Sequence, residues 1–133
     1  MISGIADTHT ALWYLYADPR LSKSAREFID SPVAQGLKIA LSSISLAEVV
    51  YLVEKRRVAA GAYTDLSRVL NDPDHVFEEV GVDQQIVSAM HHIAREDVPD
   101  LPDRLIAATG LHFGLPVISR DGHIRASNVH TIW

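Results

Sequence analysis

The chain has 133 residues, with 12 basic and 17 acidic side chains and a net charge of −5 when histidine is neutral. Against a soft expectation of ~150 residues per domain, this is one domain over residues 1–133, long enough to bury roughly two-thirds of its unfolded surface without staples. The absence of cysteine excludes disulfide scaffolds, Cys-ligated zinc, iron–sulfur clusters and thiol nucleophiles. The negative total argues against general attraction to nucleic acid or anionic membrane. No apolar run approaches the ~20 residues that span a bilayer, and the Met-Ile-Ser-Gly-Ile-Ala start lacks the basic opening of a signal peptide. A soluble cytoplasmic protein is expected.

Ile2 to Ala6 reads as a first strand, and Asp7-Thr8 opens a helix with Leu12, Trp13, Leu15 and Tyr16 on one broad face. Asp18-Pro19 interrupts, and Ser22 caps a second helix that runs through about Phe28 and Ile29 until Ser31-Pro32. Leu37 to Leu41 is a second strand. Ser45-Leu46-Ala47-Glu48 matches a capping box and starts a helix buried through Leu46, Val49, Val50 and Val53, ending in Lys55-Arg56-Arg57. A helix over 60–70 follows, then the breaker Asn71-Asp72-Pro73-Asp74 and a third strand from Val76 to Val80. Ile86, Met90 and Ile93 recur at helical spacing, 98–102 is a loop, and Asp103 precedes a helix from Leu105 to Phe113 that Gly114 closes. Pro116 to Ser119 is a compact strand, Asp121-Gly122 a turn, and Val129 to Trp133 a last strand suited to an edge. Strands alternating with helices imply an α/β fold: a central, mostly parallel sheet with helices on both faces.

In such sheets ligands bind outside the carboxyl ends of the strands, and here the residues at those ends are acidic. Asp7 follows the first strand, Glu48 lies near the start of the helix after the second, Asp103 begins a helix, and Asp121 follows a later strand. Singly, each has a commonplace role as a cap or turn residue. Jointly, if they converge, their repulsion needs a proton or a cation, because helix N-termini supply only partial charge. Carboxylate oxygens completed by water suit Mg²⁺ or Mn²⁺ better than zinc. A carboxylate-held Mg²⁺ can clamp a phosphodiester and activate water, so phosphodiester hydrolysis is the leading chemistry.

Ala6-Asp7-Thr8-His9, Ser42-Ser43-Ile44-Ser45-Leu46-Ala47-Glu48, Pro102-Asp103-Arg104-Leu105-Ile106-Ala107-Ala108-Thr109 and Ser119-Arg120-Asp121 together resemble PIN-domain nucleases, most of all the VapC-type toxins. The resemblance implies a three-layer fold and a Mg²⁺- or Mn²⁺-dependent endoribonuclease acting as the toxin of a type II toxin–antitoxin pair. It also implies Asp7, Glu48, Asp103 and Asp121 as the catalytic, metal-holding set, and a cognate antitoxin and a homodimer as partners. Many relatives carry a second acid two places after the position matching Asp121, where this chain has His123, so the number of ions stays open. Asp100 matches an acidic position often seen in relatives and is a candidate supporting residue, with a solvated loop acid as the plainer reading.

Thr8 and Ser119 are candidates for orienting a carboxylate or a phosphate. Arg104 and Arg120 adjoin proposed acids and are candidates for contacting RNA phosphates. Lys55-Arg56-Arg57 is the densest basic run, a candidate for tracking an RNA backbone, with a solvated helix end as the preferred reading. The seven histidines show no ligand pattern, and no Gly-x-Gly-x-x-Gly, Gly-x-x-x-x-Gly-Lys or Gly-x-Ser-x-Gly motif is present. Two other functions stay open: a receiver-like signalling module, which lacks its lysine here because none follows Lys55, and a non-catalytic binding protein on a nuclease-like fold.

Overall fold

Side chains alternate faces along a strand, so a strand covered on both sides must be apolar at every position. The fully buried stretches of the inner strands, Ile5-Ala6, Ile39-Ala40-Leu41 and Val117-Ile118, are. A computed structural model describes the backbone of residues 1–133 and the side chains of all but 32–34. In it β1 (Ile2–Ala6), β2 (Lys38–Ser42), β3 (Phe77–Val80), β4 (Val117–Ile118) and β5 (Thr131–Ile132) form one sheet, ordered β3-β2-β1-β4-β5. Every pairing is parallel. Ala6, Ile39, Leu41 and Ile118 pack into one layer with Leu12, Trp13, Ile29, Val49 and Leu66. Those partners come from α1 (Thr8–Leu15), α2 (Lys23–Ala34), α3 (Ser43–Glu54) and α4 (Ala62–Leu70). Ile5, Ala40 and Val117 face the other way and pack with Ile86, Ile106 and Ile124 from α5 (Gln84–Ala89), α6 (Leu101–Phe113) and α7 (Gly122–Ala126). The result is the expected three-layer α/β fold, and each fully buried Ile or Leu contributes about 1.5–3 kcal/mol to holding the layers together. The helix stop expected at Ser31-Pro32 is overrun, since α2 continues to Ala34.

The strand order places the site. After β1 the chain builds outward through β2 and β3, then returns to the other side of β1 to lay down β4 and β5. The switch point therefore lies between the carboxyl ends of β1 and β4, where a crevice opens in sheets of this kind. α6 crosses close beneath β4 because Gly110 has no side chain: a Cβ there would sit 2.5 Å from Val117 Cγ2.

Several boundaries differ from the sequence expectation, and each change alters what an acid does. α3 begins one turn early, with Ser42 as its cap, its Oγ accepting from Ile44 N at 3.2 Å. Ser45 is then buried inside the helix rather than capping it, and Glu48 is relieved of the capping-box role. α6 also begins early, at Leu101, because Asp100 caps it and Pro102 fits the first turn, where its missing N–H costs nothing. Asp103 is consequently within the helix instead of before it. Asp121, expected to form a turn with Gly122, caps the short helix α7, whose five residues are too few to show periodicity. The segment carrying Ile86, Met90 and Ile93 is α5 followed by a 3₁₀ turn over Met90–His92. Among the described residues, no helix is long and apolar enough to cross a membrane.

Candidate functional site

Asp7 sits where β1 turns into α1 and caps that helix, and it is almost fully buried at 7% exposure. Its Oδ1 accepts from the Thr8 backbone N at 2.7 Å, and its Oδ2 accepts from Ser119 Oγ at 2.6 Å. Ser119 stands just past β4, and its Oγ also accepts from Asp121 N at 2.9 Å, so one hydroxyl ties the two central strand ends together. Asp121 Oδ2 in turn accepts from Ile124 N at 3.0 Å. On the other side, the Thr8 hydroxyl donates to Glu48 Oε1 at 2.5 Å and lies 2.8 Å from Ser45 Oγ. That contact joins α1 to α3 and fixes the direction of the Glu48 carboxylate.

α6 brings the remaining acids. Asp100 Oδ2 accepts from Asp103 N at 3.2 Å, and one oxygen from each of Glu48, Asp100 and Asp103 lies within 4.8 Å of the other two. Asp7 and Asp121 open onto the same cleft, which has a volume of about 560 Å³. The four acids singled out by their sequence positions therefore share one cavity. Asp100 joins them and forms the tightest group with Glu48 and Asp103.

Such crowding has an electrostatic consequence. Burial raises the Asp7 carboxyl above its ordinary value, against the lowering effect of the Ser119 and Thr8 hydrogen bonds, with the Asp121 charge adding to the rise. Burial likewise raises Glu48, opposed by the Thr8 bond and reinforced by Asp7, Asp100 and Asp121. Asp103 is pushed up to about 8, first by burial and then by the charges of Asp7, Asp121, Asp100 and Glu48. Among the described residues, no donor or cation offsets them. The cluster cannot be fully ionised at neutral pH without a counter-charge. Its donors are all carboxylate oxygens, the set that fits a hard divalent ion such as Mg²⁺ or Mn²⁺.

The cleft also has a basic wall. Arg120 and Arg20 both line it, their guanidinium carbons 4.6 Å and 5.0 Å from the centre of the Trp13 ring. Arg20 is braced by Asp18, to which it donates from Nε at 3.0 Å and from Nη2 at 2.8 Å. Sequence reasoning named Arg120 but missed Arg20 and the backing role of Trp13. The available signal was slight: an Asp two residues before an Arg, in a stretch that reads only as a helix break. His9 lines the cleft beside Trp13, whereas His123 is an exposed residue of α7.

Arg104 is not brought to the cleft. Its Nε donates to the Ile93 carbonyl at 3.1 Å and its Nη2 to the Met90 carbonyl at 2.9 Å, clasping the 3₁₀ turn to α6. Arg104→Ala is therefore expected to cost about 1.5–3 kcal/mol of stability through these charged hydrogen bonds, seen as a lower Tm. Affinity for RNA should stay unchanged in the folded variant; a selective loss of RNA affinity at unchanged Tm would restore the substrate role.

A family model described as the PIN domain matches residues 5–128. The chain belongs to the PIN-domain family. This PIN domain is 28% identical over 137 residues to Ribonuclease VapC22 of Mycobacterium tuberculosis, an alignment covering 100% of both chains. Its fold is similar to that in the crystal structure of VapBC2 from Rickettsia felis bound to a DNA fragment from their promoter. The TM-score there is 0.69 at 18% identity, with 98% of this chain and 97% of the other covered. DNA-bound VapBC from Salmonella typhimurium matches with the same TM-score of 0.69 at 20% identity, again over 98% and 97% of the two chains.

Proposed function

We propose that this PIN domain, a single nuclease domain over residues 1–133, is a Mg²⁺- or Mn²⁺-dependent endoribonuclease and the toxin of a toxin–antitoxin pair. The observation that carries the reading is the convergence of Asp7, Glu48, Asp103 and Asp121, with Asp100, in one cleft at the sheet's switch point. The similarity to Ribonuclease VapC22 along the whole chain supports RNA as the substrate, and the family assignment displaces the receiver-like reading. Asp7, Glu48, Asp103 and Asp121 are the residues we assign to holding the ion, with Asp100 beside them. When bound, a divalent ion supplies Lewis-acid polarisation of a phosphoryl oxygen and lowers the pKa of water.

The chain's own residues position the reactants. Ser119 and the Thr8 backbone hold Asp7 in one orientation, and the Thr8 hydroxyl does the same for Glu48. Arg120 and Arg20, laid against Trp13, offer guanidinium groups to the phosphates that flank the scissile linkage. An RNA strand meeting the negative floor of the cleft needs such a basic wall to approach.

In the cell, the partners we assign are a cognate antitoxin, supported by the VapBC likeness, and a second copy of the chain, in the cytoplasm. The test is cleavage of a structured RNA pool by the purified chain with Mn²⁺ or Mg²⁺ and with a chelator. Cleavage in metal and none in chelator is expected. Equal cleavage in chelator rejects the metal, and no cleavage of any RNA by folded, metal-supplied protein favours the non-catalytic binding protein.

A further inference from the structure

We infer that the cavity next to the acidic cleft is a second RNA subsite. It would receive one nucleotide of a single strand, phosphate against Arg56 and Arg57, as that strand leaves the scissile position. The inference deepens the nuclease reading and rests on it.

The cavity has a volume of about 380 Å³ and shares His9, Trp13 and Arg20 with the acidic cleft, so the two open along one wall. This is the size of pockets that hold one small molecule, too confined for a duplex. Arg56 and Arg57 form its basic side, with Tyr16 and Val58 beside them. Asp18 is the acid that also faces it, and Asp18 is already engaged by Arg20 in two hydrogen bonds. Arg56 and Arg57 make no ion pair among the described residues, and both are exposed.

Their backbone is not loose. Arg56 N donates to Val53 O at 3.0 Å and Arg57 N to Leu52 O at 2.9 Å, so the pair is carried on the hydrogen-bonded end of α3. Arg56 takes a φ of 57°, the left-handed region that Gly or Asn occupies more easily. The two backbone bonds and this φ are those of a left-handed helix termination after Lys55. The third member of the basic run, Lys55, goes elsewhere: its Nζ lies 5.9 Å from the Tyr51 ring centre. Two residues of the run expected to be a plain solvated helix end thus line a cavity.

Charge complementarity selects the occupant. The protein is negative overall and the cleft floor is acidic, so an RNA strand is repelled at the reacting centre unless flanking phosphates find cations. Arg20, Arg56 and Arg57 supply them in sequence away from the floor. Tyr16, 44% exposed with its hydroxyl donating to Asp65 Oδ2 at 2.7 Å, presents a fixed ring on which a base of any identity can stack.

The test is fluorescence anisotropy of a short labelled single-stranded RNA of mixed sequence, in chelator so that no cleavage occurs. Wild type is compared with the double variant Arg56→Glu/Arg57→Glu and with Lys23→Glu, the reversal of a remote cation on α2. The double variant should bind roughly tenfold or more weakly, and its salt dependence should fall by about 0.7 in log–log slope, the value for one phosphate contact on a single strand. Lys23→Glu should change little. Should charge reversal disturb folding, Arg56→Asn/Arg57→Gln removes the charges with a residue that accepts the left-handed backbone, and should weaken binding in the same direction. Unchanged affinity in a folded variant overturns the subsite. So does an equal loss in Lys23→Glu, which marks a general field, or tighter binding of a polyglutamate peptide than of RNA, which marks a protein-binding surface. Weakened RNA binding in the double variant, with no cleavage by metal-supplied wild type, keeps the subsite and rejects the nuclease reading.

Discussion

Asp103→Asn is expected to abolish RNA cleavage and, at the same time, to raise the stability of the metal-free protein near pH 8. For activity, losing a carboxylate that holds a Lewis-acidic ion forfeits several kcal/mol at the transition state, and about 4 kcal/mol corresponds to a rate loss of roughly 10³-fold. For stability, the sign follows from the raised carboxyl of Asp103, about 8 in the folded chain against an ordinary 3.8. The folded state holds a proton that the unfolded state has released, so stability is fully present below pH 3.8 and is progressively lost as pH rises towards about 8.

An asparagine has no such titration and relieves the repulsion outright. Asp103 is only half-buried, so solvent screening reduces the gain to about 2 kcal/mol, worth several degrees of Tm in a domain of this size. Thermal unfolding of both proteins in chelator across pH 5 to 9, for which ~2 kcal/mol is well above resolution, checks it. A variant less stable than wild type at high pH would contradict the electrostatic picture, and retained cleavage would remove Asp103 from the site.

Asp7, Glu48 and Asp121 could be singled out from the sequence because each follows, or nearly follows, an apolar strand, and Asp103 because it precedes a helical run beyond a loop; in a parallel sheet the strand ends share one edge. That reasoning fixed the layer architecture and the region of the site. It left Asp100, a candidate supporting residue through the family resemblance alone, with a solvated loop acid as the plainer reading, because an acid that caps a helix and an acid in a solvated loop look alike in sequence. Only the early start of α6 reveals that Asp100 sits one turn from Asp103, with its carboxylate near that of Glu48. Arg104 illustrates the converse: being next to Asp103 in a helix of 3.6 residues per turn sends its side chain about 100° away, towards the carbonyls of Met90 and Ile93. The meeting of Arg20 with Arg56 and Arg57 was illegible for a third reason. Their meeting along one wall depends on how α1 packs beside α3 and on the loop that carries Arg20, a long-range arrangement that leaves no local period.

Divalent metal should stabilise this PIN domain strongly at pH 8 and only weakly near pH 5.5. A bound ion must displace the protons that Asp7, Glu48 and Asp103 hold more tightly than ordinary carboxylates do, so apparent affinity rises with pH until those groups have titrated, by up to about tenfold per pH unit for each proton released. Since stabilisation grows as RT ln(1 + [L]/Kd), a millimolar ion that binds 100-fold below its concentration adds about 2.7 kcal/mol, and the same ion near its Kd adds only a few tenths. Differential scanning of the chain with Mn²⁺ at the two pH values, each against chelator, measures the difference directly. The protons belong to a coupled cluster, so the midpoint of the curve reports the group of carboxylates together. Glu48→Gln and Asp103→Asn should each flatten the response. The opposite effects on the metal-free and metal-supplied protein arise from one cause: carboxylates gathered closely enough to repel one another are, for the same reason, a strong site for a cation. A Mn²⁺ shift equal at both pH values, or undiminished in Glu48→Gln, would show that the ion binds somewhere other than this cleft.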